Sequence, residues 1–513
     1  MSPRHITYTI WITIALLGAV CLLVPKGGWQ LGQWTLRWPT LSEALDLSQP
    51  VEQEEPIIPT EPTTPAGHTQ LAESNQVTIP TTPATTSSKQ VAESEPTIEN
   101  DTILPMVDAR HYLTAFYNAL DSADRMPVRV VHYGDSQIEE DRISSILREL
   151  WQKEYGGGGV GLLPLHQTIP TSSLRQWISI NGTVQSTQGG PKRYLIYGPS
   201  SMRLKSDDYG VMGQVASLNN NLISGSEHIV MNIAPYDKKI KSFNYFNRLR
   251  IVADDIKVSI NQPSTDNPDS LVIGSAVFAL PDSTTRCTIH FKGRGKVYGI
   301  SLETPTGVIV DNIPMRGCSG NIFTRIDSLA LSSFYQETNT RLIILQYGGN
   351  MIPSTKNRST VNGYVNKLRE QIHYLRACAP QASILFIGPS DMSTRINGVL
   401  TTYPMVPYMD EQLALMAQEE QIAYWSMYHA MGGKGSMITW RNKGLAGSDY
   451  VHFTRKGASK VGKLLYEWLQ WEQQPDNGNR IPDNGDRIPD PQSPITDTQS
   501  PITDNQYPIT DNQ

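Results

Sequence analysis

The sequence predicts an α/β protein, in which a mostly parallel β-sheet carries helices on both faces and is interrupted by an antiparallel β-sandwich. Strand-like runs alternate with amphipathic helices at 105–160 and again at 306–472. Within the second segment, the continuous apolar run at 341–347 is typical of strands that parallel sheets bury on both faces. Between them, at 161–305, short strand-like runs are separated by Asn, Asp, Gly, Ser and Pro without a helical period, which predicts the inserted sandwich.

The composition argues against nucleic acid as a partner. The chain has 513 residues and a net charge of −6, and so lacks the basic surface that nucleic acids require. Its cysteines match no zinc or redox spacing and allow at most one disulfide; they are Cys21, Cys287, Cys318 and Cys378. Nothing in the sequence implies a metal or an organic cofactor.

The two ends of the chain are expected to lie outside the fold. The uncharged, mostly apolar run at 6–24 has the length of one membrane-spanning helix, and Ala19-Val20-Cys21 is a poor cleavage site, so we interpret the run as an uncleaved signal anchor rather than a signal peptide. The Pro/Thr-rich stretch at 25–104 predicts a disordered linker. The tail at 473–513 repeats an isoleucine every seven residues beside a proline, which prevents a continuous helix and predicts disorder.

This anchor predicts the location of the protein. With Arg4 on the cytoplasmic side, a single-pass helix in the cell inner membrane places the folded domain in the periplasm.

The stretch at 130–137, Val-Val-His-Tyr-Gly-Asp-Ser-Gln, predicts a serine at the tip of a buried strand. Gly134 permits a sharp turn, and apolar residues recur at helical spacing from Ile138 onwards. The hydroxyl and the backbone N–H of Ser136 then face a helix N-terminus, where developing negative charge is stabilised. A lone Gly-Asp-Ser is more often an ordinary helix cap, so the assignment depends on the rest of the chain.

Other segments that follow strands offer the groups that a nucleophilic serine needs. A serine requires a base, and the base requires an acidic partner; His452 and Asp449 stand together in a loop before the last helix. An oxyanion requires hydrogen-bond donors, which the N–H groups of Ser136 and Gly317 and the side-chain amide of Asn350 can supply. Taken one at a time, these residues have ordinary explanations. Asp449 and His452 could be a surface pair, Gly317 a turn glycine and Asn350 a helix cap.

Together, the blocks Gly-Asp-Ser, Gly, Gly-x-Asn and Asp-x-x-His, in this order, resemble the SGNH superfamily of GDSL-type hydrolases. The resemblance implies a three-layer α/β/α fold without a metal. It also implies the following roles: Ser136 as nucleophile, His452 as base, Asp449 as its orienting partner, and Ser136, Gly317 and Asn350 in the oxyanion hole.

The sequence departs from the family pattern at two of these blocks. Met351 stands where the family usually has an aspartate after the oxyanion asparagine. The glycine block is degenerate, so Gly320 is an alternative to Gly317.

A β-rich module inserted between the serine and glycine blocks resembles the arrangement in peptidoglycan O-acetylesterases. Aromatic residues of such a module can stack on sugar faces or fill its core; the candidates are Trp177, Tyr194, Tyr197 and Tyr209. We therefore expect a membrane-tethered serine esterase that removes acetyl groups from a cell-envelope glycan through an acyl-enzyme. The alternatives are a glycan O-acyltransferase that uses the same serine, and a catalytically inactive glycan-binding protein. No apolar lid favours a lipase.

Overall fold

The computed structural model describes residues 29–31, 34–36, 109–186, 190–218, 228–235, 245–262, 265–266 and 270–474. The predicted anchor at 6–24, nearly all of the linker and the tail after residue 474 lie outside the described residues. Among the described helices, none is long and apolar enough to cross a membrane.

The chain divides into two units, residues 1–94 and 95–513. In the first unit, the structure describes the antiparallel strands β1 (Trp29–Leu31) and β2 (Trp34–Leu36), which fall within the stretch predicted as linker. Both strands alternate apolar and polar residues, as is typical of β-strands.

The second unit holds all the remaining elements that the structure describes. Its strands are β3 (Pro127–Gly134), β4 (Gly161–Leu163), β5 (Leu174–Ile180), β6 (Thr183–Val184), β7 (Lys192–Leu195), β8 (Gln214–Ser217), β9 (His228–Pro235), β10 (Phe246–Gln262), β11 (Thr265–Asp266), β12 (Ser270–Thr284), β13 (Cys287–Glu303), β14 (Gly307–Pro314), β15 (Thr340–Gln346), β16 (Ser383–Ile387), β17 (Ser393–Ile396), β18 (Val399–Thr402) and β19 (Ala423–Trp425). Its α-helices are α1 (Ala109–Leu120), α2 (Ser144–Tyr155), α3 (Ser328–Glu337), α4 (Arg358–Cys378), α5 (Val406–Glu419), α6 (Met427–Ala430), α7 (Ser436–Asn442) and α8 (Arg455–Gln473).

A parallel sheet with the strand order β14-β3-β15-β16-β19 lies at the centre of this unit, which confirms the predicted α/β class. Its strands alternate buried side chains between two faces. On one face, Val131 and Ile343 belong to a core shared with α3, α4 and α5. On the other face, Val130 and Ile344 belong to a core shared with α1, α2 and α8. The result is a three-layer arrangement in which all strand ends that carry the candidate motifs meet at one edge.

The insert is an antiparallel sheet of ten strands, β4 to β13, with a hydrophobic core of its own. Strand β13 pairs with β10 along most of its length. On its other side, β13 pairs with β9 near its start and with β8 and β4 towards its end. Hydrogen bonds therefore connect all ten strands, because the long strand β13 changes partners along its length. The predicted inserted antiparallel domain is confirmed.

A buried ionic cluster joins the insert to the parallel sheet. The Arg129 side chain on β3 donates to Glu303 Oε1 (2.9 Å) and to Ser301 Oγ (2.7 Å), both on β13, and lies 3.5 Å from Asp311 Oδ2 on β14. From β10, Arg250 donates to the same Glu303 oxygen (3.1 Å). Arg129, Asp311 and Glu303 are almost completely buried, so these charges depend on one another for compensation.

The aromatic candidates of the insert differ in their surroundings. Tyr209 is buried, and Tyr194 and Tyr197 are partly buried against the core that includes Val131. Trp177 is 41% exposed. The cysteines that the structure describes are buried and carry free thiols.

Candidate active site

The turn after β3 presents Ser136 at the carboxyl edge of the sheet. The Asp135 side chain accepts a hydrogen bond from the Gln137 N–H (2.9 Å) and so begins the 3-10 helix Ser136–Asp141. A Cβ atom at Gly134 would lie 3.1 Å from the Ile138 side chain, which explains the glycine. The continuous helix predicted from Ile138 is wrong for its first turn: Glu140 and Asp141 have positive φ angles, and the α-helix α2 begins at Ser144.

The structure brings Ser136, His452 and Asp449 into one hydrogen-bonded chain. The Ser136 Oγ and His452 Nε2 atoms are 2.8 Å apart, and His452 Nδ1 lies 2.7 Å from Asp449 Oδ2. The loop that carries His452 is fixed on its C-terminal side: the next residue, Phe453, is buried, and Thr454 caps α8 by accepting from the Gly457 N–H (3.2 Å). This is the geometry of a serine, a base and an orienting carboxylate.

The surroundings of Asp449 keep it ionised. Partial burial opposes the charged form, but the hydrogen bond to His452 and those from the Val451 and His452 backbone N–H groups (3.1 Å each) outweigh it and lower the pKa of Asp449. An ionised Asp449 holds a proton on His452 Nδ1 and leaves Nε2 to accept from the Ser136 hydroxyl.

The other histidine of the nucleophile stretch has a different environment. His132 is fully buried on β3, with its ring nitrogens 3.1 Å from Gln346 Oε1 and 2.9 Å from Ser144 Oγ. Burial lowers the pKa of His132 to about 4, partly offset by the Gln346 hydrogen bond. His132 therefore stays neutral and helps to connect β3, β15 and α2.

Gly317 and Asn350 line the same cleft as Ser136, whereas Gly320 is not among the lining residues. Gly317 has a φ of +73°, and a Cβ there would meet no atom within 4 Å. At Gly320, a Cβ would lie 2.7 Å from the Tyr347 ring, so this glycine permits close packing. The geometry thus favours Gly317 over Gly320 as the oxyanion glycine.

The amide of Asn350 already has two hydrogen-bond acceptors. Its Nδ2 atom donates to Asp135 Oδ2 (3.0 Å) and to the Cys318 carbonyl (3.0 Å). Donation to an oxyanion therefore requires one of these two hydrogens to be shared or released.

The cleft around Ser136 has a volume of about 580 Å³. It is lined by Asp135, Ser136, Gln137, Glu139, Glu140, Arg142, Arg316, Gly317, Gln346, Tyr347, Gly349, Asn350, Pro353, Gly388, Pro389, Ser390, Met392, Met427, Val451 and His452. These residues come from the strand-end loops of the parallel sheet, as expected for this class of fold.

Two residues that the sequence did not single out bind the serine turn to the histidine loop. Gln137 donates to the Val451 carbonyl (2.6 Å) and lies within hydrogen-bonding distance of the Phe453 N–H (3.4 Å), so it contacts both neighbours of His452. The Arg142 guanidinium donates to the Ser136 carbonyl (2.7 Å) and to the Phe453 carbonyl (2.9 Å). The position of Gln137 next to the serine is the one sequence signal for this contact.

A third missed residue, Arg316, stands directly before Gly317, the candidate oxyanion glycine. Its side chain is 67% exposed and forms a two-point ion pair with Glu139, 2.7 and 2.5 Å between the closest atoms. This pair joins the glycine loop to the 3-10 helix of the nucleophile. The departure at Met351 is accommodated by packing, because the Met351 side chain contacts the core that includes Ile343.

Comparison with solved structures identifies the fold. A peptidoglycan O-acetylesterase matches 72% of this chain and 96% of its own, with 20% identity and a TM-score of 0.56. The chain has the fold of this esterase. A family two carbohydrate esterase from Cellvibrio japonicus matches 58% of this chain and 98% of its own, with 9% identity and a TM-score of 0.24. An acetyl xylan esterase matches 32% of this chain and 81% of its own, with 11% identity and a TM-score of 0.23.

The likeness to the peptidoglycan O-acetylesterase shows a shared fold. No protein-family model matches the sequence, and no curated protein matches it either.

Proposed function

We propose that the protein is a serine esterase that removes acetyl groups from a cell-envelope glycan such as O-acetylated peptidoglycan. The observation that carries the proposal is the hydrogen-bonded chain from Ser136 through His452 to Asp449, in a cleft on a peptidoglycan O-acetylesterase fold. These hydrogen bonds increase the nucleophilicity of the serine hydroxyl. A catalytically inactive protein would have no need to retain this arrangement.

In the proposed reaction, His452 Nε2 takes the proton of the Ser136 hydroxyl while Oγ attacks the acetyl carbonyl carbon. The resulting oxyanion is stabilised by the N–H groups of Ser136 and Gly317 and by the Asn350 amide. Protonated His452 then gives its proton to the departing sugar oxygen, which leaves an acetyl ester on Ser136. Water, deprotonated by the same imidazole, attacks this ester; the bond between the acyl carbon and Ser136 Oγ breaks, His452 returns the proton to Oγ, and acetate is released.

The proposed location follows from the predicted anchor. A single-pass helix at 6–24 would tether the enzyme to the inner membrane, and the linker would place the catalytic domain in the periplasm, where the glycan is found. The insert, an antiparallel β-domain for which we propose a sandwich arrangement, would contact the glycan.

Acetate release from O-acetylated peptidoglycan tests the proposal. We expect the full chain to release acetate, Ser136→Ala to abolish release, and a fluorophosphonate probe to label the wild-type serine but not the variant. Undiminished acetate release by Ser136→Ala would contradict the mechanism. A supplied acceptor glycan that becomes acetylated in place of acetate release would instead indicate the transferase.

A further inference from the structure

A second cavity, of about 210 Å³, lies beside the catalytic cleft. The two cavities share Glu139, Glu140 and Arg316 as lining residues, so they are direct neighbours. The far wall of the second cavity comes from the insert, including Leu162 and Arg193. A substrate bound at Ser136 can therefore extend into this space between the sheet and the insert.

The carboxylates that line this cavity all have cationic partners. The pairs are Glu139 with Arg316 (2.5 Å), Asp141 with Arg148 (2.5 Å) and Glu140 with Arg455 (3.9 Å). Arg148 and Arg316 are therefore already paired with carboxylates of the protein itself.

Arg193 is the cation that remains. Its guanidinium is partly buried, and it forms no hydrogen bond or ion pair with any residue in the described part of the chain. Burial lowers the pKa of Arg193, and burial together with the Arg193 charge lowers the pKa of the neighbouring His166. An unpaired cation in a partly desolvated site is unfavourable unless an anion joins it.

The other walls of the cavity suit a sugar. Leu162, Tyr197, Met212 and Pro314 provide apolar surface, on which the C–H face of a pyranose can pack. The planar guanidinium of Arg193 is suited to bind a carboxylate through two parallel hydrogen bonds.

We propose that this cavity is a subsite for a carboxylate group of the glycan, bound by Arg193 while the acetyl ester occupies the catalytic cleft. The inference rests on the proposed function and narrows its substrate to acidic glycans. The lactyl ether of muramic acid carries such a carboxylate close to its sugar ring wherever no stem peptide is attached to it.

Binding of two disaccharides to the full chain tests the subsite. The disaccharide of N-acetylglucosamine and N-acetylmuramic acid differs from chitobiose by the lactyl carboxylate. We expect the wild type to bind the muramyl disaccharide about tenfold or more tightly than chitobiose in calorimetric titration, and Arg193→Gln to lose this preference. Arg193→Lys should keep part of it, because the charge remains but the two-point geometry does not.

Lys192→Gln is the matched control, since Lys192 is the adjacent cation on β7, lies over the Tyr194 ring and does not line the cavity. It should keep the wild-type preference. The proposal is overturned if the wild type does not distinguish the two sugars, if Arg193→Gln still does, or if Lys192→Gln loses the preference equally. Circular dichroism verifies that each variant is folded.

Neither disaccharide carries an acetyl ester, so binding is independent of esterase activity. Failure of acetate release with an intact sugar preference would overturn the proposed function alone. Acetate release without any sugar preference would overturn the subsite alone.

Discussion

At the scale of single residues, Asp135 connects the nucleophile turn to the oxyanion region. One of its oxygens accepts from the Gln137 N–H, and the other accepts from the Asn350 amide. The same carboxylate thus caps the helix of Ser136 and orients Asn350. The Asp135 carboxylate is buried, and the two hydrogen bonds that it accepts align the site. The alignment of Gln137 and Asn350 is therefore linked to the ionisation of Asp135.

The Asn350 amide is expected to contribute to transition-state stabilisation. We predict that Asn350→Ala lowers kcat by about 10²–10³ with little change in KM, as for loss of one oxyanion donor. Ser354→Ala is the control, because Ser354 belongs to the same 3-10 helix but is exposed and lies outside the cleft. An unchanged kcat in Asn350→Ala would mean that the two backbone N–H groups suffice. Steady-state kinetics on an acetyl ester measures this.

The buried Asp135 predicts a pH dependence of stability. Burial raises its pKa from 3.8 to about 6, while the Gln137 hydrogen bond and the charge of His452 oppose the rise. The folded protein therefore binds this proton more readily than the unfolded chain does. Relative to Asp135→Asn, the free energy of unfolding of the wild type should increase by up to about 3 kcal/mol as the pH falls from 7 to 4. Urea unfolding across this pH range measures the difference in free energy of unfolding between the wild type and Asp135→Asn. A difference that stayed constant or decreased as the pH fell would contradict the raised pKa of Asp135.

At the scale of elements, the 3-10 helix Ser136–Asp141 is the part that holds the site together. Its Gln137 side chain contacts both neighbours of His452. Arg142, directly after the helix, donates to the carbonyl of Ser136 in the serine turn and to that of Phe453 in the histidine loop. A regular α-helix starting at Ile138 would turn these residues in other directions. The positive φ angles of Glu140 and Asp141 end this helix before α2 begins.

Gln137 is expected to act through the position of His452. We predict that Gln137→Met, which keeps the volume but loses both hydrogen bonds, lowers kcat about tenfold to a hundredfold by displacing the imidazole. The rate of Ser136 labelling by a fluorophosphonate should fall in parallel. Gln185→Met, at a partly exposed glutamine of the insert that lines neither cavity, should change neither rate. A lower melting temperature without a slower reaction would show that Gln137 serves stability alone.

The sequence predicts the elements better than it predicts the contacts among them. Continuous apolar runs indicated β3 and β15, because a parallel sheet buries both faces of its strands, and apolar residues at helical spacing indicated α4 and α8. The start of α2 was missed because non-glycine residues with positive φ leave no mark in the sequence. The partners of Gln137 were missed because they lie more than 300 positions away and depend on tertiary packing.

At the scale of the whole molecule, the insert lines the cavity beside the cleft and is joined to the parallel sheet by buried charges. Its strand β7 supplies Arg193 to the cavity beside the cleft, and its strand β13 supplies Glu303 to the buried cluster with Arg129. The cluster fixes β13 against β3, which is the strand that ends at Ser136. The position of the insert's wall of the second cavity is therefore determined by the same strand that positions Ser136.

Removal of Glu303 should weaken this connection strongly. In Glu303→Ala, the buried Arg129 keeps only the more distant Asp311 as a carboxylate partner, and Arg250 loses its buried partner. We therefore predict that the free energy of unfolding falls by about 3–5 kcal/mol. Glu337 is the matched control, because it pairs with Arg250 from a half-exposed position, and Glu337→Ala should cost less than about 1 kcal/mol. Urea unfolding compares the two variants. Equal losses would mean that the cluster does not hold the insert to the sheet.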